Sequence, residues 1–245
     1  MDKTIQLPDE GKAVFIGDTH GDYKTSKMVI TAFINKPNHY IVMLGDYVDR
    51  GDQSKENIDF LLEIREKHSN LIMLAGNHET FFIRDYTSAS FWNTLSEEDF
   101  KYYKDTFSQL PLAVSGNGFL ALHGALPDIK NMEDIDDIQP GDSNWVRIIW
   151  GDFKNKDGEY LGNFLGRPKF GRDYFLKVMD RLQKNVLIRG HDSLAPEKMF
   201  DNRCLTLLTS SMYKNRRIAI IDLGKEIKSI DDFDIIPMDA VDIEI

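Results

Sequence analysis

Four of the six histidines, His20, His78, His123 and His191, stand in short glycine- or aspartate-rich motifs, each just after an apolar run. Asp18 precedes His20 in GDTHGD, Asp46 opens GDYVDRGD, and Asn77 sits beside His78 in GNHE. Asp18, His20, Asp46, Asn77, His123 and His191 form a carboxylate, imidazole and amide donor set without a thiolate, which suits Mn, Fe or Zn rather than a structural zinc. An Asp and a His at i and i+2 on a strand-to-loop turn can converge on one ion. An Asp shared by two such groups can bridge two ions about 3.5–4 Å apart. Two cations so placed can make hydroxide from water near neutral pH and neutralise phosphoryl oxygens, which is what the very slow hydrolysis of phosphate monoesters requires. Arg50, close behind Asp46, can add bidentate contacts to those oxygens. His78 can protonate a leaving alkoxide, with Asp49 as the acid that orients it. Each signal alone is ordinary: Asp-x-His is common, GNHE also fits a helix start with Asn as cap, and a lone His123 or His191 is usually a core or loop residue. Their occurrence together and in order, each at a strand end, is specific. His39 and His68, beside a Pro-Asn turn and a helix end, read as surface residues.

The elements that must position these residues follow from hydrophobic period. Apolar runs at Val14–Gly17, Tyr40–Leu44 and Leu71–Ala75 end at the three motifs, with a mixed segment from Tyr23 to Asn35 between the first two. A segment of helical period over Ser54–His68 carries Ile58, Leu61, Leu62 and Ile64 as its stripe. This alternation predicts an α/β architecture with its site at the strand ends. Further on, Ser96 followed by three acids reads as a helix start, and Phe119–Leu122 and Val186–Ile188 read as strands ending at HGALPD and RGHD. Gly116–Gly118 is a hairpin turn rather than a nucleotide cradle. Cys204–Leu208 and Arg217–Asp222 read as paired β segments joined by SSMYKN, in a β-rich second half packed on the first.

Composition sets the bounds. The chain has 245 residues, 42% hydrophobic and 29% charged, which is an ordinary globular composition for one large domain or two small ones. Without a repeat, low-complexity tract or linker, residues 1–245 are expected to form a single catalytic domain with an acidic C-terminal tail. Thirty basic against forty acidic side chains give a net charge of −10, a poor fit to a nucleic-acid binder. One cysteine excludes an intrachain disulfide and a multi-Cys zinc site. No secretory signal is visible, and no run approaches the ~18 apolar residues that span a bilayer. A soluble, cytoplasmic protein with no membrane partner is expected. Residues 128–142 and 231–245 are acid-rich and read as solvated loop and tail, with a surface that favours basic substrates as the alternative. Cys204 lacks the arginine that a Cys-dependent phosphatase needs six residues on, where Ser210 stands, and reads as a small buried residue.

GDTHGD, GDYVDRGD and GNHE resemble, in type and spacing, the three signature motifs of the phosphoprotein phosphatases, the Ser/Thr phosphatase family within the calcineurin-like metallophosphoesterases. LHGALPD, IIWGD, IRGHD and LTSSMYKN resemble that family's later segments in order, so the similarity runs from about Val14 to Leu223. The resemblance implies a central β-sandwich of mixed sheets flanked by helices. It also implies a dinuclear centre with Asp18, His20 and Asp46 on one metal and Asp46, Asn77, His123 and His191 on the other. A metal-bridging hydroxide would attack phosphorus in line; His78, paired with Asp49, would protonate the leaving oxygen. Arg50 and Arg167 would grip the phosphate and Tyr213 would line the site, with Arg147 and Arg172 as rivals to Arg167 because GRPKFG is short for the family. GALPD, RGHD and TSSMY depart from the eukaryotic pattern but keep the ligand histidines and the tyrosine. The expected activity is hydrolysis of phosphoserine and phosphothreonine, with phosphotyrosine as an extension and manganese as the metal in vitro, iron and zinc being alternatives. A dinucleoside polyphosphate hydrolase is the rival, disfavoured by Asp49. A nuclease or phosphodiesterase of the superfamily is disfavoured by GHDS in place of GHxH, and a dead binding module by retention of every ligand.

Overall fold

The apolar runs are strands buried on both faces, which is why they read as continuous rather than alternating. In the computed structural model, which describes residues 2–85 and 88–241, β2 (Lys12–Ile16) points Ala13 and Phe15 one way and Val14 and Ile16 the other. β2 pairs in parallel with β3 (His39–Met43), and β3 with β4 (Leu71–Met73). β13 (Arg217–Asp222) and β14 (Asp234–Pro237) complete a five-stranded sheet in the order β14-β13-β2-β3-β4. The facing sheet has six strands in the order β1-β5-β6-β10-β12-β11, from β1 (Thr4–Gln6), β5 (Ala113–Gly116), β6 (Phe119–Leu122), β10 (Val186–Arg189), β11 (Lys198–Met199) and β12 (Cys204–Thr206).

Between the sheets lies one apolar core, including Phe15, Val42, Leu74, Ala121, Ile188, Leu205 and Ala219, with Phe15 and Phe119 meeting edge-on at 5.6 Å. A second core covers the outward faces with helices. Val14, Ile16 and Met43 pack with α1 (Tyr23–Phe33) and α2 (Ser54–Lys67); Leu120 and Leu187 pack with α4 (Ser143–Trp150) and α5 (Arg172–Arg181). The mixed sandwich flanked by helices is the expected fold class. A small third sheet, β7 (Asp152–Phe153), β9 (Arg167–Phe170) and β8 (Tyr160–Phe164), was not legible because its strands are short and carry no continuous apolar run. Among the described residues no helix is long and apolar enough to cross a membrane.

Local chemistry sets several boundaries as expected. Ser96 caps α3 (Glu97–Phe107) by accepting from the Asp99 N–H, and Asn117 and Gly118 form the two-residue turn between β5 and β6, Gly118 at φ +81°. Cys204 is buried, and burial pushes its thiol up to about 12. His39 and His68, expected at the surface, are half-buried.

Three expectations are corrected. β12 and β13 are not a hairpin: β12 runs parallel to β10 in one sheet, β13 antiparallel to β2 in the other, and SSMYKN crosses between them. Strands buried on both faces carry the same apolar signature whichever sheet they join, so sequence alone does not choose the partner. The β-rich second half is likewise interleaved with the first, since β1 enters the later sheet and β13 and β14 the earlier one. The acidic stretches are partly structural: Asp142 caps α4, Asp134 caps a 3-10 turn at Met132–Ile135, Asp136 accepts from the Lys3 N–H, and Asp128 pairs with Arg181. Residues 234–237 are edge strand rather than tail, and 242–245 lie outside the described residues.

The sheets converge where Asp18 and Leu208 form an isolated parallel bridge. A Cβ on Gly17 would collide with the Leu207 carbonyl from the opposite sheet. Gly17→Ala is therefore expected to lower stability by about 1–3 kcal/mol or more, read from the urea midpoint, because neither backbone can give way.

Candidate active site

Six polar donors meet at the joined carboxyl ends of the two sheets. Asp18 and His20 follow β2, Asp46 follows β3, Asn77 follows β4, His123 follows β6 and His191 follows β10. All are buried. His20, Asp46, Asp49, Arg50 and His191 are five of the eleven described non-glycine residues in the left-handed region. Such conformations cost energy and persist only where surrounding contacts over-determine them.

Those contacts are visible. The Asp46 carbonyl accepts from the N–H groups of Thr19 and His20, and Asn57 of α2 donates its amide to the Tyr47 carbonyl at 2.8 Å. The buried Glu79 carboxyl lies beneath both loops and accepts from the N–H groups of Asp46 (2.8 Å), Tyr47 (2.7 Å), Gly76 (3.1 Å) and Val48 (3.4 Å). Gly45, at φ +101°, has Gly76 and the His123 ring so close that a Cβ would stand 2.8 Å from each.

Ring nitrogens are oriented from behind. His20 Nδ1 lies 3.1 Å from the Val48 carbonyl and His123 Nδ1 2.7 Å from the Leu44 carbonyl. A carbonyl only accepts, so these bonds place the proton on Nδ1 and leave each Nε2 a bare acceptor. Both Nε2 atoms face Asp46: His20 lies 3.7 Å from its Oδ2 and His123 3.4 Å from its Oδ1. His20, Asp46 and His78 offer donor atoms within 4.8 Å of one another, and so do Asp46, His123 and His191. Asp18 Oδ2 is 3.8 Å from His20 Nε2, while its Oδ1 accepts from the His191 N–H at 3.0 Å. Asn77 Oδ1 lies 3.2 Å from His123 Nε2.

Electrostatics points the same way. Burial holds the His20 imidazole down to about 3, and lowers His123 and His191 as well. Burial and the neighbouring Asp46 carboxylate push Asp18 well above its ordinary range. Burial opposes ionisation of Asp46 too, and only positive charge beside it favours the carboxylate. Asp18 Oδ2, His20 Nε2 and both His191 ring nitrogens are buried with no hydrogen-bond partner among the described residues. Unpaired acceptors converging in a dry pocket are the complement of a cation, and the N/O donor set fits a divalent metal.

The remaining predicted residues flank this centre. His78 Nδ1 lies 2.7 Å from Asp49 Oδ2, and Asp49 Oδ1 is fixed by the Phe91 N–H and Ser90 hydroxyl. Arg50 reaches His78 Nε2 and the Tyr213 hydroxyl, each at 3.3 Å. Tyr213 is half-buried, and burial raises its hydroxyl pKa. Arg167 is held by Asp152 through two bonds of 3.0 and 2.7 Å, and Asp152 stands 3.7 Å from His191. The rivals are engaged elsewhere: Arg147 bonds Tyr174 and lies over the Phe170 and Tyr174 rings, and Arg172 pairs with Asp201. Glu79, Asp152 and Arg189 were not singled out from sequence, although GNHE, WGD and RGHD contain them; a lone acid or arginine there carries no periodic signal.

The sequence pattern of the calcineurin-like phosphoesterases matches residues 11–193, and the chain belongs to that family. Among curated relatives, serine/threonine-protein phosphatase T of Aspergillus oryzae is 29% identical over 245 residues, covering 90% of this chain and 50% of that protein. Serine/threonine-protein phosphatase PP1-delta of Caenorhabditis elegans is 28% identical over 205 residues, covering 76% of this chain and 65% of that one. The chain thus spans about half to two thirds of the length of these relatives. A Saccharomyces cerevisiae protein serine/threonine phosphatase with similarity to human phosphatase PP5 shares the fold, with a TM-score of 0.78 and 20% identity over 97% of this chain and 87% of that one. A candidate diadenosine tetraphosphatase aligns at a TM-score of 0.59 and 15% identity over 97% of this chain and 98% of that one.

Glu79→Ala would strand buried N–H groups in both ligand loops. A loss of about 2–4 kcal/mol in chemical unfolding is expected, the order of leaving buried donors unpaired, with a parallel weakening of manganese binding in equilibrium dialysis.

Proposed function

We propose that the chain is a metal-dependent phosphomonoesterase acting on phosphoserine and phosphothreonine in protein substrates, with phosphotyrosine as a further substrate. The observation that carries this reading is the His78–Asp49 pair at 2.7 Å, standing beside Arg50 and against the buried donor set. Support also comes from the relatives, whose names are those of serine/threonine-protein phosphatases.

In this reading Asp18, His20 and Asp46 hold one divalent cation, and Asp46, Asn77, His123 and His191 hold a second. Manganese is the metal to load in vitro, with iron and zinc as alternatives. Cations held there would supply neutralisation of phosphoryl oxygens and a lowered pKa of water. His78 donates Nδ1–H to Asp49, which fixes the ring; once Arg50 turns from His78 Nε2 to the phosphoryl oxygens, that nitrogen carries the proton that the leaving serine or threonine oxygen takes. Arg50, tethered by Tyr213, and Arg167, tethered by Asp152, bind the phosphoryl oxygens from two sides.

His78→Asn is expected to lower kcat on a phosphothreonine peptide by about 10²–10⁴, the range of lost general acid catalysis, with metal content unchanged. The penalty should shrink on p-nitrophenyl phosphate, whose leaving group needs little protonation. Equal losses on both substrates would remove the acid role. Chelation should abolish turnover and manganese restore it, and Asp46→Asn should bind less than the two ions per chain expected of the wild type, as counted by atomic emission. A preference of the reloaded enzyme for diadenosine tetraphosphate over phosphopeptides would move the assignment to dinucleoside polyphosphate hydrolysis.

A further inference from the structure

Asp152 lies outside the donor set and meets three cationic or ligating groups at once. It sits at the start of β7, 3% exposed, and accepts from Arg167 Nε at 3.0 Å and Arg167 Nη2 at 2.7 Å. Behind it stands Arg189, the last residue of β10, whose Nη2 is 3.8 Å from Asp152 Oδ1. The same oxygen is 3.7 Å from His191 Nε2. Arg189 is fully buried, and none of its guanidinium nitrogens has a hydrogen-bond partner among the described residues. Its Cζ lies over the Phe153 ring, 6.0 Å from the centroid.

This arrangement has a definite sign. Two guanidinium groups are brought to one carboxylate, and one of them cannot leave because it is sealed in the core. Asp192, also buried, is committed to Lys154 at 2.7 Å. Without Asp152, Arg167 would face the charge of Arg189 offset only by the more distant Asp192, which Lys154 already engages. Its simplest escape is outward, since Arg167 is half-buried at the start of β9 whereas Arg189 is enclosed. With Asp152 present, Nε and Nη2 are engaged along one edge of the guanidinium, which leaves the Nη1 donors on the other edge. A planar guanidinium fixed along one edge is pre-organised to bind a tetrahedral oxyanion with its other donors.

We propose that Asp152 is the positioning residue for Arg167: it holds that guanidinium at the phosphate site and screens it from Arg189. The proposal rests on the phosphate-binding role given above to Arg167. It predicts an effect on phosphate binding rather than on the bond-breaking step, and one that runs through Arg167 alone.

The test is a double-mutant cycle in manganese-loaded protein. Inorganic phosphate affinity is measured by calorimetry beside KM and kcat for a phosphothreonine peptide. Asp152→Asn keeps the shape and removes the charge, and serves if Asp152→Ala does not fold. Either change should weaken phosphate binding and raise KM about 10–100-fold, the order expected for loss of a charged hydrogen-bonded contact, with kcat changed far less and metal content unaltered. In an Arg167→Ala background, Asp152→Asn should have almost no further effect on either quantity. Unchanged phosphate affinity in Asp152→Asn, or a full additional loss in the Arg167→Ala background, would overturn the proposal. Loss of metal in place of phosphate affinity would also overturn it and assign Asp152 to His191. A wild type that hydrolyses no phosphomonoester but binds phosphate through the Asp152–Arg167 pair would overturn the phosphatase reading and leave this one standing.

Discussion

A carboxylate with four histidine rings around it and almost no contact with solvent is the constraint on which the rest of this molecule turns. Asp46 cannot be buried as an ion unless positive or donor groups surround it. Its own main chain shows how far the fold goes to hold it: a left-handed backbone, a glycine on either side of the loop contact, and a buried glutamic side chain collecting the N–H groups beneath. Two of those rings, His20 and His123, present bare acceptors, because their protons are tied to main-chain carbonyls. Acceptors arranged around acceptors are an unstable set by themselves. The family to which the chain belongs gives that set its purpose.

Placing the centre at the seam of two sheets solves a geometric problem. No single sheet offers strand ends on more than one side of a small volume. Here β2, β3 and β4 deliver Asp18, His20, Asp46 and Asn77 from one side, while β6 and β10 deliver His123 and His191 from the other. The connection after β12 then carries Tyr213 over the top to meet Arg50, and the small third sheet brings Asp152 and Arg167 in from the flank. Each layer contributes one kind of group: the sandwich core the buried donors, the crossing loops and the flanking sheet the long cationic and phenolic side chains.

Much of this was legible in the sequence because strand ends leave two marks at once, an apolar run that stops and a polar motif that begins. GDTHGD, GDYVDRGD and GNHE each show both, and Ser96 and the Asn117–Gly118 turn are equally local. What stayed hidden is non-local. Nothing in Cys204–Leu208 or Arg217–Asp222 says which sheet each joins, since both are apolar on both faces. Asp152 and Arg189 are ordinary letters until β7 and β10 bring them within 3.8 Å. The acids of residues 128–142 look like a charged surface, yet several are spent on helix caps and ion pairs whose partners are far along the chain.

The interleaving of the strands bears on how the molecule must be assembled. Gly17 donates its N–H to the Thr209 hydroxyl across 192 positions of sequence, and β2 is completed on one side only by β13. Contacts of that range close late, because the loop entropy has to be met before they return any energy. During synthesis β2, β3 and β4 leave the ribosome long before β13 exists, so one edge of β2 waits unpaired and open to wrong partners. No short contiguous fragment contains the whole centre, whose donors run from Asp18 to His191, and strands made after all of them complete the sheet that holds the first.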